Sequence, residues 1–138
     1  MVYGPKQLGD LLAASDYVVL AAPVTGSTQR LMDRTRLAQM RPTACLVNVG
    51  RGVLVDEPAL ADALRQKKLA AAALDVLEKE PLPADSPLWD MENVLITPHT
   101  GSVTPRLWER QYALISENVR RFLAGGPLLG VVNKSKGY

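Results

Sequence analysis

The sequence predicts an α/β domain with a parallel sheet of about four strands, flanking helices and a long carboxyl-terminal helix. Three observations predict it: short apolar runs recur along the chain, segments of helical spacing lie between them, and polar residues gather just after each run. Short runs without strict alternation suit strands covered on both faces, because neither face then meets water. Alternating strands and helices imply right-handed crossovers, since a parallel neighbour is reached only by carrying the chain back over the sheet.

In chain order, Leu8, Leu11 and Leu12 have helical spacing, and Ser15-Asp16 stops that helix before the first strand, Tyr17 to Ala22. Three further runs follow, Ala44 to Val49, Ala71 to Leu74 and Val94 to Thr97. Asp33 is placed to cap a helix over Arg34 to Met40 with Leu37 and Met40 inward. Asp56 is placed to cap Glu57 to Lys67 with Leu60, Ala61 and Leu64 inward. The last helix starts with Thr104 as cap and Pro105 in the first helical position, and Gly125-Gly126-Pro127 ends it. Along it Trp108, Tyr112, Ile115, Val119 and Phe122 form one apolar stripe, expected to pack on something beyond the sheet. The segment Lys79 to Trp89, with Pro81, Pro83 and Pro87, reads as a structured loop.

A chain of 138 residues has the length for a single domain spanning 1–138. Its 47% hydrophobic and 22% charged residues are those of an ordinary globular protein. No run reaches the ~18 apolar residues of a membrane span, and the first twenty residues lack a secretory pattern, so the expected compartment is the cytoplasm, without a membrane partner. Sixteen basic residues face fourteen acidic ones, and the small clusters Arg65 to Lys68 and Arg120-Arg121 read as solvated helix ends. Nucleic acid is therefore not an expected partner. The lone Cys45 lies in the apolar run Cys45-Leu46-Val47, reads as a packing residue, and excludes an internal disulfide.

Ligands of open parallel sheets lie beyond the carboxyl ends of the strands. Pro23 to Thr28 follow the first run, Gly50-Arg51-Gly52 the second, Asp75 and then Glu80 the third, and Pro98-His99-Thr100-Gly101 the fourth. A lone histidine is more often structural than catalytic, and it is the shared rim that singles out His99. There an imidazole can give or take a proton, a carboxylate can hold it, and a guanidinium can clamp an anion bidentately. A 2-keto acid offers both the carboxylate and the carbonyl that such a set would serve.

The run Val47-Asn48-Val49-Gly50-Arg51-Gly52-Val53-Leu54-Val55-Asp56, then Ala73-Leu74-Asp75-Val76 with Glu80-Pro81, then Thr97-Pro98-His99-Thr100-Gly101, resembles the D-isomer-specific 2-hydroxyacid dehydrogenases. Order, spacing and residue type agree over nearly the whole chain. Pro81 to Trp89 and the ending Asn133 to Tyr138 are most similar to the glyoxylate/hydroxypyruvate reductase and phosphoglycerate dehydrogenase-like branch. The resemblance implies the carboxyl-terminal half of a Rossmann-type NAD(P)-binding domain, with 103–138 a return helix and tail that would pack on the substrate domain of a full-length enzyme. It also implies roles. Arg51 orients the substrate carboxylate and carbonyl, His99 is the general acid/base, and Glu80 holds His99 and favours its charged form. Asp75 faces the nicotinamide carboxamide, while Pro23, Thr28, Val49, Gly50 and Gly101 lie along the nicotinamide side of NAD or NADP. Arg41 and Cys45 depart from the family's usual Lys and larger apolar residue, and neither touches this chemistry.

The glycine-rich G-x-G-x-x-G loop that holds the dinucleotide pyrophosphate in that family does not occur in this sequence. Gly50 to Val55 imitates it poorly, because the final position is Val. The expected alternative to an oxidoreductase is therefore a noncatalytic remnant or a dinucleotide-sensing interaction module. In the family's strand order Tyr17 to Ala22 would be an unprotected edge, so a homo-oligomer is expected through that edge or through the Trp108 to Phe122 face.

Overall fold

A computed structural model describes residues 2–136, so Gly137 and Tyr138 of the family-like ending lie outside the described residues. Its helices are α1 (Leu8–Ala14), α2 (Arg34–Leu37), α3 (Glu57–Arg65) and α4 (Leu107–Leu123); its strands are β1 (Tyr17–Leu20), β2 (Cys45–Asn48), β3 (Ala71–Leu74) and β4 (Val94–Ile96). Short 3-10 turns occupy Pro5–Gln7, Gly52–Leu54 and Pro87–Asp90. The strands form one parallel sheet in the order β1-β2-β3-β4, so β1 is an edge as the sequence predicts. Among the described residues no helix is long and apolar enough to cross a membrane.

Both expected caps form. Asp33 accepts from the Arg36 N–H and Asp56 from the Ala59 N–H, each satisfying a first-turn donor that has no carbonyl to bond. The helices and strands are shorter than apolar content alone suggests. Thus β1 ends at Leu20, where the backbone turns away to the Pro23 loop, and α2 ends at Leu37.

The register shows which face is buried. Val18, Leu46 and Ala72 lie in one row and Leu20, Asn48 and Leu74 in the next, all buried beneath Leu12, Leu37, Leu60 and Leu64 of the helices. The other face carries Tyr17, Cys45 and Ala71, then Val19, Val47, Ala73 and Leu95. Here the expectation of strands covered on both faces is corrected, for Tyr17, Val19 and Leu95 are exposed. The helices of the crossovers reach only one side. Cys45, on the open face, is half-buried, and burial pushes its thiol up from the ordinary range, as suits a packing residue.

The chain divides into two compact units, one through His99 and one from Thr100. In the second unit, α4 begins two residues after Pro105, so Thr104 does not cap it. The Leu107 N–H bonds the Thr104 carbonyl across a turn, and the helix has 17 residues, none of them buried. The expected stripe is present but uncovered: Trp108, Tyr112, Ile115, Val119 and Phe122 are all exposed. The tail folds back on the helix, where Asn118 accepts from the Leu129 N–H at 2.8 Å and donates to its carbonyl at 3.1 Å. Arg120 and Arg121 pair with Glu117, and Arg65 pairs with Asp62, so these basic residues are ion-paired helix ends.

Candidate active site

Each strand of the first unit delivers its following residues to the same rim, because parallel strands end on one side of the sheet. After β1, the Thr28 hydroxyl donates to the Pro23 carbonyl at 2.7 Å and accepts from the Thr25 N–H at 2.7 Å, closing the loop on itself. That loop is tied to the segment after β2, since the Arg30 N–H bonds the Val53 carbonyl at 2.8 Å and Met32 bridges Val55.

After β2, Val49 donates to the Leu20 carbonyl at 3.1 Å, which sets Gly50 beside the end of β1. A Cβ on Gly50 would stand 2.9 Å from a Leu54 methyl and 3.2 Å from the Ala22 carbonyl, so a larger residue there would force Leu54 and the β1 end to shift. Asn48, only 1% exposed, accepts from the Gly50 N–H at 3.1 Å and donates to the Arg51 carbonyl at 2.9 Å. The Arg51 side chain is exposed, with Nη1 donating to the Gly50 carbonyl at 2.7 Å. Next in sequence, Gly52 is buried so closely against Leu77 and Glu78 that a Cβ would fall within their peptide. The arginine segment therefore packs on the loop that follows β3.

That loop begins at Asp75, which is buried and accepts from the Thr97 hydroxyl at 2.6 Å. Farther along, Glu80 accepts the Leu77 N–H on Oε1 at 3.0 Å, while its Oε2 lies 2.9 Å from His99 Nδ1. The hydrogen bond to His99 comes first, and that to Leu77 second, in holding the Glu80 carboxyl below its ordinary range. Glu57 stands nearby, its carboxyl accepting the Glu78 N–H; burial pushes it up. After β4, the His99 N–H bonds the Thr97 carbonyl at 3.0 Å, and His99 has φ +54°, a left-handed conformation uncommon for a non-glycine residue.

Asp75, Glu80 and His99 line one cavity of about 550 Å³, whose remaining wall is largely apolar: Leu77, Pro81, Leu82, Trp89, Ile96 and Pro98, with Thr97. The structure thus brings together Asp75, Glu80 and His99, and places Val49, Gly50 and Arg51 on the neighbouring rim with Pro23 and Thr28 beyond them. Arg51 is not across the molecule from the histidine: Gly52 abuts Leu77, and the Leu77 N–H holds the carboxylate that holds His99. Gly101 belongs to the second unit. Sequence reasoning assigns no role to Asn48 or Thr97, although both lie inside quoted motifs. A polar residue ending an otherwise apolar run is the signal that points to each of them.

Such a rim, with its histidine–carboxylate pair, lies at the carboxyl ends of the strands of a parallel α/β domain. Residues 2–101 match the family model described as "D-isomer specific 2-hydroxyacid dehydrogenase, NAD binding domain", and the chain belongs to that family. Over 118 residues it is 46% identical to glyoxylate/hydroxypyruvate reductase B of Pectobacterium atrosepticum, covering 86% of this chain and 37% of that one. It is 38% identical over 126 residues to D-3-phosphoglycerate dehydrogenase of Methanocaldococcus jannaschii, covering 91% of this chain and 24% of that one. A solved D-isomer specific 2-hydroxyacid dehydrogenase of Xanthobacter autotrophicus Py2, in complex with NADPH and MES, superposes with a TM-score of 0.90 at 46% identity, over 98% of this chain and 55% of that chain. The chain thus spans well under half the length of these curated relatives.

Proposed function

We propose that the chain carries the catalytic rim of an NAD(P)-dependent D-2-hydroxyacid dehydrogenase acting on a small 2-keto acid such as glyoxylate or hydroxypyruvate. The observation that supports this best is the Glu80–His99 pair, 2.9 Å apart, on a backbone held at positive φ. With Nδ1–H donating to the carboxylate, Nε2 is the nitrogen that exchanges a proton with substrate. Protonated His99 gives that proton to the carbonyl oxygen, and neutral His99 removes it from the hydroxyl in the reverse direction. Arg51 pairs with the substrate carboxylate through its planar fork. Glu80, ionised at neutral pH, keeps the ring oriented.

The residues present fit the nicotinamide end of the cofactor. A buried carboxylate at Asp75, fixed by Thr97, is the acceptor a carboxamide NH₂ requires, and Val49 and Gly50 are assigned to the same end of the cofactor. NAD(P)H, when bound, supplies the hydride that reaches the carbonyl carbon. Pro23, Thr28 and Gly101 are assigned to packing along the same end. The second reading is a noncatalytic or dinucleotide-sensing module built on the same fold.

One assay separates the two readings. NADH or NADPH oxidation is followed with glyoxylate and hydroxypyruvate for the chain and for its His99→Ala and Arg51→Ala variants. The proposal expects a loss of 10²-fold or more on removing the acid/base, on the order usual for such groups. Equal rates in all three would exclude these roles. The cytoplasm is the proposed compartment. The proposed assembly is a homo-oligomer through the β1 edge, Tyr17–Leu20, or through the α4 face from Trp108 to Phe122.

A further inference from the structure

Asn48 ends β2 on the covered face of the sheet, where its register partners Leu20 and Leu74 are both apolar and buried. A carboxamide there is costly unless its polar atoms are partnered, and an aliphatic residue would suit the core better. Its side chain spends both polar ends on one target: Oδ1 accepts from the Gly50 N–H at 3.1 Å and Nδ2 donates to the Arg51 carbonyl at 2.9 Å. It therefore grips the main chain on either side of the Gly50–Arg51 peptide. The Asn48 carbonyl also accepts the Asp75 N–H at 3.0 Å, so the residue is anchored from below by β3. On the far side of Arg51, Gly52 is wedged against Leu77 and Glu78. The Arg51 backbone is thus fixed from both directions, while its side chain remains exposed.

From this arrangement we infer that Asn48 is a positioning residue, whose buried carboxamide sets the point from which Arg51 presents its guanidinium to the carboxylate of the substrate. The inference rests on the anion-binding role proposed above for Arg51. A bidentate pair depends on the placement of the fork to within a fraction of an ångström, and a long flexible side chain can supply that only from a fixed backbone.

The test is calorimetric titration of the folded chain with oxamate, a carboxylate-bearing 2-keto acid mimic, in the parent, Arg51→Ala, Asn48→Ala and Asn48→Asp. Circular dichroism checks that each variant is folded. Asn48→Ala is expected to weaken oxamate about tenfold, less than Arg51→Ala does, as loss of a buried two-bond brace implies. Asn48→Asp gives a readout that a merely structural residue would not move. Its neutral acid can donate to the Arg51 carbonyl while accepting from Gly50, and its carboxylate cannot. Affinity in that variant should therefore approach the parent's on acidification and fall away at neutral pH, against a flat ratio for Asn48→Ala. If Arg51→Ala weakens oxamate and both Asn48 variants match the parent throughout, the inference about Asn48 is overturned and the clamp stands. If Arg51→Ala and the parent are indistinguishable, the clamp itself fails, and the positioning role fails with it.

Discussion

At the scale of single residues, the site is governed by short polar contacts between partners distant in sequence. Glu80 and His99 form the central one, and the carboxyl of Glu80 lies below its usual range chiefly because of that bond. His99→Ala should therefore raise the Glu80 carboxyl toward the ordinary carboxylate value, as read by carbon NMR of the glutamate carboxyls during a pH titration. The sign for stability follows from linkage. A carboxyl depressed by folding contributes stability above its unfolded pKa, and that contribution is lost as pH falls through the depressed folded value. Because the pair is well exposed, solvent screening keeps the contribution small. Gly52 makes the opposite case, in which a residue with no side chain is the constrained one. Gly52→Ala should destabilise by about 3 kcal/mol or more in thermal or denaturant unfolding, since the obstructing atoms are backbone and cannot swing aside. Gly26→Ala, with nothing within 4 Å of its added methyl, should be close to neutral and serves as the control.

At the scale of elements, the crossover helices are short and depend on their caps and their apolar faces. α3 has nine residues, too few to be stable alone in water, and it is held by Leu60 and Leu64 in the core. Its cap bond from the Ala59 N–H to Asp56 is 3.0 Å long, and Asp56→Ala should cost about 1 kcal/mol of unfolding free energy, measured by urea titration. Asp33→Ala is expected to act in the same direction on α2, where the cap bond is 2.8 Å. A cap lost from α3 matters to the site as well, because Glu57 in its first turn accepts the Glu78 N–H beside the glutamate loop. α4 differs from both. It is long and amphipathic, yet its apolar stripe is exposed, so packing within the second unit does not account for that face.

At the scale of the whole molecule, an apolar sheet face and an edge strand are left open together. Tyr17 and Val19 of β1 present exposed side chains on that face, and β1 has a paired neighbour on one side only. Folded proteins rarely leave such an edge bare, and the proposed homo-oligomer is the response expected of it. Size-exclusion chromatography should show self-association, and Val19→Lys should shift the chain toward monomer by placing a charge on the contact. A stable dilute monomer of the unsubstituted chain would refute the proposed assembly.

Much of this was legible in the sequence because it is local. Apolar runs mark strands wherever they fall, Asp33 and Asp56 cap the helices that begin beside them, and Arg51, Glu80 and His99 stand out by type and by their place after a strand. The boundaries were less legible, since β1 ends where its pairing with β2 stops and α4 starts only after a turn closed by the Leu107 N–H on the Thr104 carbonyl. What only the tertiary structure decided is which other residues meet: Asn48 with Asp75, Gly52 with Leu77, and Thr97 with Asp75. It also decided that one sheet face is covered and the other is not. Those outcomes come from contacts across more than fifteen residues of chain, whose free energy depends on register and packing geometry that no local pattern encodes.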